Sequence, residues 1–135
     1  MKTSLPILAL SLLFASASMP IQAQANDTSI GDQLAHWSAK AGVPGDARRG
    51  EAFFGARHGN AWSCASCHGQ PPSTAGQHAD TGKRIAPLAP SANPKSITRV
   101  AKVEKWFRRN CMDVLARECT AGEKADVLAY LSSLK

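Results

Sequence analysis

Aromatic residues are scarce, at 6% of a 135-residue chain. Such a composition does not suit a fold packed chiefly around its own rings. Methionine is scarcer: after Met1 and Met19 only Met112 remains. Beyond the N-terminal segment no apolar run reaches the roughly 18–20 residues that a membrane span needs. No stretch alternates apolar and polar residues well enough to make a good strand, which argues against a β-sandwich or barrel. Internal repeats and long low-complexity tracts are also missing, so a solenoid is excluded. The four cysteines contain one C-x-x-C pair, because seven residues separate Cys111 from Cys119. A zinc site made of two such pairs lacks its second half.

The N-terminus supplies what the rest lacks. Lys2 precedes a stretch from Leu5 to Met19 that is almost entirely apolar or small. Ala23-Gln24-Ala25 then fits the small-x-small rule of a signal peptidase site. Residues 1–25 are predicted to be a signal peptide cut after Ala25, and 26–135 to be one small domain. An uncut anchor is the alternative, for which the run is short. Export places the domain in the periplasm, with no stable membrane insertion after cleavage. Disulfides persist in such an oxidising space. The formal charge is +6. Export argues against nucleic acid as a partner, and a basic surface suits the steering of an acidic redox partner.

The segment "AWSCASCHGQ" at 61–70 holds Cys64, Cys67 and His68. Free thiols with a surface histidine, half a zinc site and covalent haem attachment all compete here. In the third reading both thiols add to haem vinyl groups and the adjacent imidazole takes the proximal side of the iron. Export favours it over zinc or a thiol redox couple. A haem also gives a small, ring-poor domain apolar surface to fold around. Cys111 and Cys119 are then left to pair with each other.

Helical periodicity recurs along the domain. Residues 28–41 place Ile30, Leu34, Trp37 and Ala41 on one face, after the capping candidates Asp27 and Thr28. Asp46 caps a second helix, in which Gly50 would let another helix cross closely. Residues 69–94 read as an extended loop rich in Pro, Gly, Ser and Thr, where Ile85 and Leu88 suit contact with a haem face. A helix over 96–110 carries Val100, Val103, Trp106, Phe107 and Asn110 on one side. A polar Asn110 at the centre of that stripe fits a helix C-cap and an iron ligand alike. Thr120 and Glu123 form a capping box for a last helix, whose stripe is Val127, Leu128, Leu131 and Leu134. Met112 lies about 200° from Asn110 on a continued helix. His36, His58 and His78 are further ligand candidates.

"CASCHG", "TGKRIAPLAPSANP", "VEKWFRRNC" and "CTAGEKADVLAYL" together resemble the sphaeroides haem protein (SHP) family of monohaem class I cytochromes c. The likeness covers most of residues 28–134. It implies an all-α class I cytochrome c fold wrapped around one covalent haem c, here with an extra N-terminal helix. It implies thioethers on Cys64 and Cys67, His68 as proximal ligand, Asn110 as distal ligand to a high-spin ferric iron, and a Cys111–Cys119 disulfide. Related cytochrome c double-prime proteins carry histidine at the Asn110 position. The loop between His68 and Thr81 is slightly longer here and stiffened by Pro71 and Pro72. The resemblance further implies electron delivery by a dihaem cytochrome c and, after reduction, release of Asn110 and binding of a diatomic gas such as oxygen or nitric oxide. Two other functions compete: an electron carrier ligated by Met112, and a terminal oxygen or peroxide reductase with Asn110 as a displaceable gate. Thioether attachment has a direct check. Denatured protein should keep its haem in acidified organic solvent and give the alkaline pyridine spectrum of a two-thioether haem c.

Overall fold

A computed structural model describes residues 27–135; the expected signal peptide and its cleavage site lie outside the described residues. The elements in order are helices α1 (Ile30–Ala41), α2 (Ala47–Gly55) and α3 (Cys64–His68), strands β1 (Gly76–Gln77) and β2 (Arg84–Ile85), then α4 (Val100–Leu115) and α5 (Ala121–Ser133). The all-α expectation holds apart from that minimal hairpin, which pairs Gly76 with Ile85 and Gln77 with Arg84 in antiparallel fashion.

Local capping sets the helix starts. Ser29, not Asp27 or Thr28, opens α1: its hydroxyl accepts from the Asp32 N–H at 3.2 Å, and the Asp32 carboxylate accepts from the Ser29 N–H at 3.0 Å. This two-way box displaces the single-residue caps. Asp27 serves another helix, accepting from the Val100 N–H at 2.7 Å where α4 begins. Asp46 caps α2 as expected, accepting from the Arg49 N–H at 2.8 Å. Thr120 and Glu123 form the expected box on α5.

α5 is the central helix, packed against both α1 and α2. α2 crosses it at Gly50, where a Cβ would overlap the Asp126 carbonyl. Two apolar clusters result. One joins Trp37, Ile97, Val103, Ala125 and Leu128. The other joins Phe54, Val127, Tyr130 and Leu131. Leu88 and Phe107 touch both clusters. The long loop is tied in place: the buried Pro72 offers its carbonyl to the N–H groups of Leu88 and Ala89, each at 3.0 Å. Leu88 is thereby fixed against the core.

α4 departs from the expected 96–110 at both ends. Residues 89–98 make turns instead, with Ala92 and Asn93 donating to the Ala89 carbonyl. The helix then runs five residues past Asn110, to Leu115. Its apolar stripe continues through Val103, Phe107, Cys111 and Val114, and the chain reverses only at Ala116, whose φ is 56°. Asn110 is therefore not a C-cap. Among the described residues, no helix runs lengthwise against α4 as α1 and α2 do against α5. α4 is held at its start by Asp27, midway by Val103 and Phe107, and near its end by the Cys111–Cys119 disulfide, with an S–S distance of 2.01 Å.

Two outcomes follow from this architecture. Gly50→Val should lower stability by about 3 kcal/mol or abolish folding, because backbone rather than a movable side chain fills the space; thermal melts of the haem-loaded protein measure it. Alkylation of unfolded, unreduced holoprotein should label no cysteine. Removing the bridge with Cys111→Ser and Cys119→Ser should cost about 2–3 kcal/mol, the loop-closure value for a short loop.

Candidate functional site

α3 is a five-residue helix that opens on Ser63. The Ser63 hydroxyl accepts from the Ser66 N–H at 3.2 Å, and the Ser63 N–H donates to Ser66 Oγ at 3.0 Å. The box makes a helical turn of a segment too short to persist alone. Helical spacing then puts Cys64, Cys67 and His68 on one face, at i, i+3 and i+4. Gly69 ends the helix, its N–H donating to the Ala65 carbonyl at 2.9 Å. The β1–β2 hairpin closes over α3. A Cβ at Gly76 would overlap the Cys67 carbonyl, and the Ala79 N–H donates to Cys67 Sγ at 3.3 Å.

Burial sets the chemistry of these groups. His68 is pushed below its ordinary pKa by desolvation, so the ring is neutral at neutral pH. Its Nδ1 is buried and finds no hydrogen-bond partner among the described residues. Burial pushes the Cys64 thiol up to about 11. A redox C-x-x-C pair works by the opposite shift, toward thiolate, so a dithiol couple does not fit. Cys64 and Cys67 are both unpaired with any other cysteine. Among the described residues no group of three or more His, Cys, Asp or Glu side chains is arranged to hold a metal ion.

The surroundings are apolar. Cys64 and Ala65 pack against the Phe54–Tyr130 cluster, and the Phe54 ring lies 6.2 Å from the His68 ring. Phe107 of α4 packs against the same cluster. A neutral buried imidazole and two unpaired thiols on one helical face, beside a small apolar core, fit a covalently attached haem. They match that group better than any purely protein arrangement of the same donors.

Asn110 sits half-buried on α4, three residues after Phe107 and directly before Cys111. Its side-chain amide makes no hydrogen bond to a described residue. Met112 is 48% exposed. The unbroken helix sets it on the side away from Asn110, which disfavours it as a ligand. The other histidines are engaged locally. His36 is exposed and lies edge-on to Trp37 at 5.1 Å. His58 Nε2 donates to the Phe53 carbonyl at 2.9 Å. His78 Nδ1 accepts from the N–H groups of Asp80 and Thr81 at 3.3 and 3.2 Å, capping the hairpin turn.

Tyr130 and Lys124 are buried polar groups that the sequence reading missed. Tyr130 is buried behind Gly50, its phenol raised in pKa by desolvation and then by Glu51, and its hydroxyl has no partner among the described residues. Lys124 is 7% exposed. A signal for it existed, since 124 precedes Leu128 by four and Leu131 by seven and so lies on the buried stripe of α5.

Residues 40–131 match a family described as a domain of unknown function, DUF1924. The cytochrome c-type protein SHP of Cereibacter sphaeroides is 48% identical over 126 residues, covering 90% of this chain and 96% of that protein. Cytochrome c'' of Methylophilus methylotrophus is 42% identical over 86 residues, covering 61% of this chain and 60% of that protein. Among solved structures, oxidized SHP, described as an oxygen-binding cytochrome c, aligns with a TM-score of 0.72 at 50% identity, covering 80% of this chain and 99% of that one. The crystal structure of oxidized cytochrome c'' from Methylophilus methylotrophus aligns at 0.67 with 33% identity, covering 78% and 94%. These likenesses, at 48% identity over most of the chain and a TM-score of 0.72, show that the chain belongs to the SHP family of class I c-type cytochromes, related to cytochrome c'' and carrying a covalently bound haem c.

Proposed function

We propose that the chain is an exported, periplasmic cytochrome that accepts an electron from a redox partner and then binds a diatomic ligand. Cys64 and Cys67 hold the haem thioethers, His68 is the proximal ligand and Asn110 the distal one. When bound, the haem supplies a one-electron iron centre whose preference for a sixth ligand changes with oxidation state. The observation that carries the reading is the course of α4, which passes unbroken through Asn110 and leaves an unpaired amide on its apolar side. The half-buried amide has no partner among the described residues, so it is free to take a ligand. The kinship with an oxygen-binding SHP supports the choice of ligand.

The roles of the chain's own groups follow from their chemistry. His68, neutral because buried, presents a lone pair and needs no deprotonation to do so. The amide oxygen of Asn110 is a hard, weak donor that suits ferric iron better than ferrous. Cys111 fixes the backbone beside it through the disulfide. Release therefore takes the form of a side-chain swing, with α4 remaining in place. No helix among the described residues is long and apolar enough to cross a membrane. The basic surface suits an acidic donor, and a dihaem cytochrome c is the donor this proposal names.

Optical spectra in both oxidation states, with and without carbon monoxide, test the reading. Ferric protein should show a high-spin charge-transfer band, and ferrous protein should bind carbon monoxide without a slow displacement step. Asn110→Val should keep the haem and give five-coordinate or water-ligated ferric iron, whereas Asn110→His should give low-spin iron. Met112→Leu should alter neither spectrum. Conversion of low-spin to high-spin ferric iron by Met112→Leu alone would assign the ligand to Met112 and make the protein a plain electron carrier.

A further inference from the structure

Lys124 is buried although it carries an ammonium group. Its Nζ lies 3.8 Å from the centre of the Trp37 ring and 5.9 Å from that of Phe107. The nearest carboxylate oxygen, Glu104 Oε2, is 3.8 Å away. That is ion-pair distance but beyond hydrogen-bond reach. Three helices meet at this one cation: α5 supplies it, α1 supplies the Trp37 face, and α4 supplies Phe107 and Glu104. A desolvated cation is tolerated only where rings and countercharge are held in place around it. The arrangement therefore constrains α4 as much as Lys124 itself.

The constraint falls on a particular degree of freedom. Asp27 fixes the start of α4, and the disulfide fixes the chain beside Asn110. Along the stretch between, Val103 and Phe107 seat α4 on the core, and among the described residues no helix runs lengthwise against it. Glu104 and Phe107 precede Asn110 by six and three residues, on the same helix. A rotation of α4 that turned the Asn110 amide away would also draw Phe107 and Glu104 from the cation.

We propose that Lys124 is a positioning residue for the distal amide: seated between Trp37, Phe107 and Glu104, its cation sets the rotation of α4 and with it the aim of Asn110. The inference rests on Asn110 as the distal ligand. The test uses haem-loaded, full-length mature protein, with imidazole as competitor for the ferric iron. Lys124→Met, which keeps the stem and removes the charge, should raise the apparent imidazole affinity about fivefold, within the worth of a desolvated cation–π seat. It should also shift the ferric charge-transfer band. Lys124→Arg should return both readouts toward wild type. In an Asn110→Val background, Lys124→Met should leave imidazole affinity unchanged. If Lys124→Met alters neither readout while Asn110→Val alters both, the positioning role is overturned and the ligand assignment stands. If Asn110→Val alters neither, the ligand assignment fails and the positioning role fails with it. Should Lys124→Met not accumulate as folded protein, Trp37→Phe and Glu104→Gln probe the same seat, and wild-type imidazole affinity in both overturns the proposal.

Discussion

The crossing of α2 over α5 at Gly50 is the contact on which the site depends. It brings the two backbones together because position 50 has no side chain. Phe54 and Tyr130 then meet with ring centroids 5.6 Å apart and planes tilted by 57°, and the Phe54 ring lies 6.2 Å from that of His68. The Arg49–Asp126 ion pair at 2.7 Å reinforces the crossing from outside, but Arg49 is 57% exposed. An exposed pair contributes about 0–1 kcal/mol, whereas each large buried side chain of the Phe54 cluster contributes about 1.5–3 kcal/mol. Packing therefore sets the geometry and the ion pair follows it. α3, joined to α2 by a short connection, takes its position from that packed base.

The helix bearing Asn110 is built on a different plan. α1 and α2 are each held by lengthwise contact with α5. α4 is held at separate points: a carboxylate cap from Asp27, Val103 in the Trp37 cluster, the Phe107 ring between the two clusters, and a disulfide. Each attachment fixes one position of the helix without a lengthwise helix–helix contact among the described residues. Such a helix can border a prosthetic group without filling the space the group needs. The division also separates stability from ligand control. Changes to the packed trio act on folding, and changes to the attachments of α4 act on the aim of one amide.

Much of this was legible in the residues. The C-x-x-C-H turn, the Asp46 and Thr120 caps and the small residue at Gly50 each specify local geometry with little help from elsewhere. The end of α4 was not legible, because asparagine is common at helix C-termini and the continuing stripe of Cys111 and Val114 was the weaker signal. The start of α1 was misplaced by two residues because several capping side chains follow one another, and the reciprocal Ser29–Asp32 bonds decided between them. The job taken by Asp27 could not be read at all: its partner is 73 residues away. Lys124 illustrates a third kind of miss. Its place on the α5 stripe was visible, but a lysine is ordinarily assigned to solvent, and only the fold supplies the Trp37 face that makes burial tolerable.

α1 looks like an appendage, since the α2–α3–α5 base has its own cluster and its own crossing. The contacts of Trp37 and Asp27 give it another standing. Trimming the chain before α2 would uncover Leu128 and leave an ammonium inside the protein with its principal ring removed. The same cut would strip the first N–H of α4 of its acceptor. The extra helix is thus not a module that can be gained or lost on its own. A shortened homologue would have to change residue 124 and the cap of α4 together, so the three features are expected to be inherited as one unit.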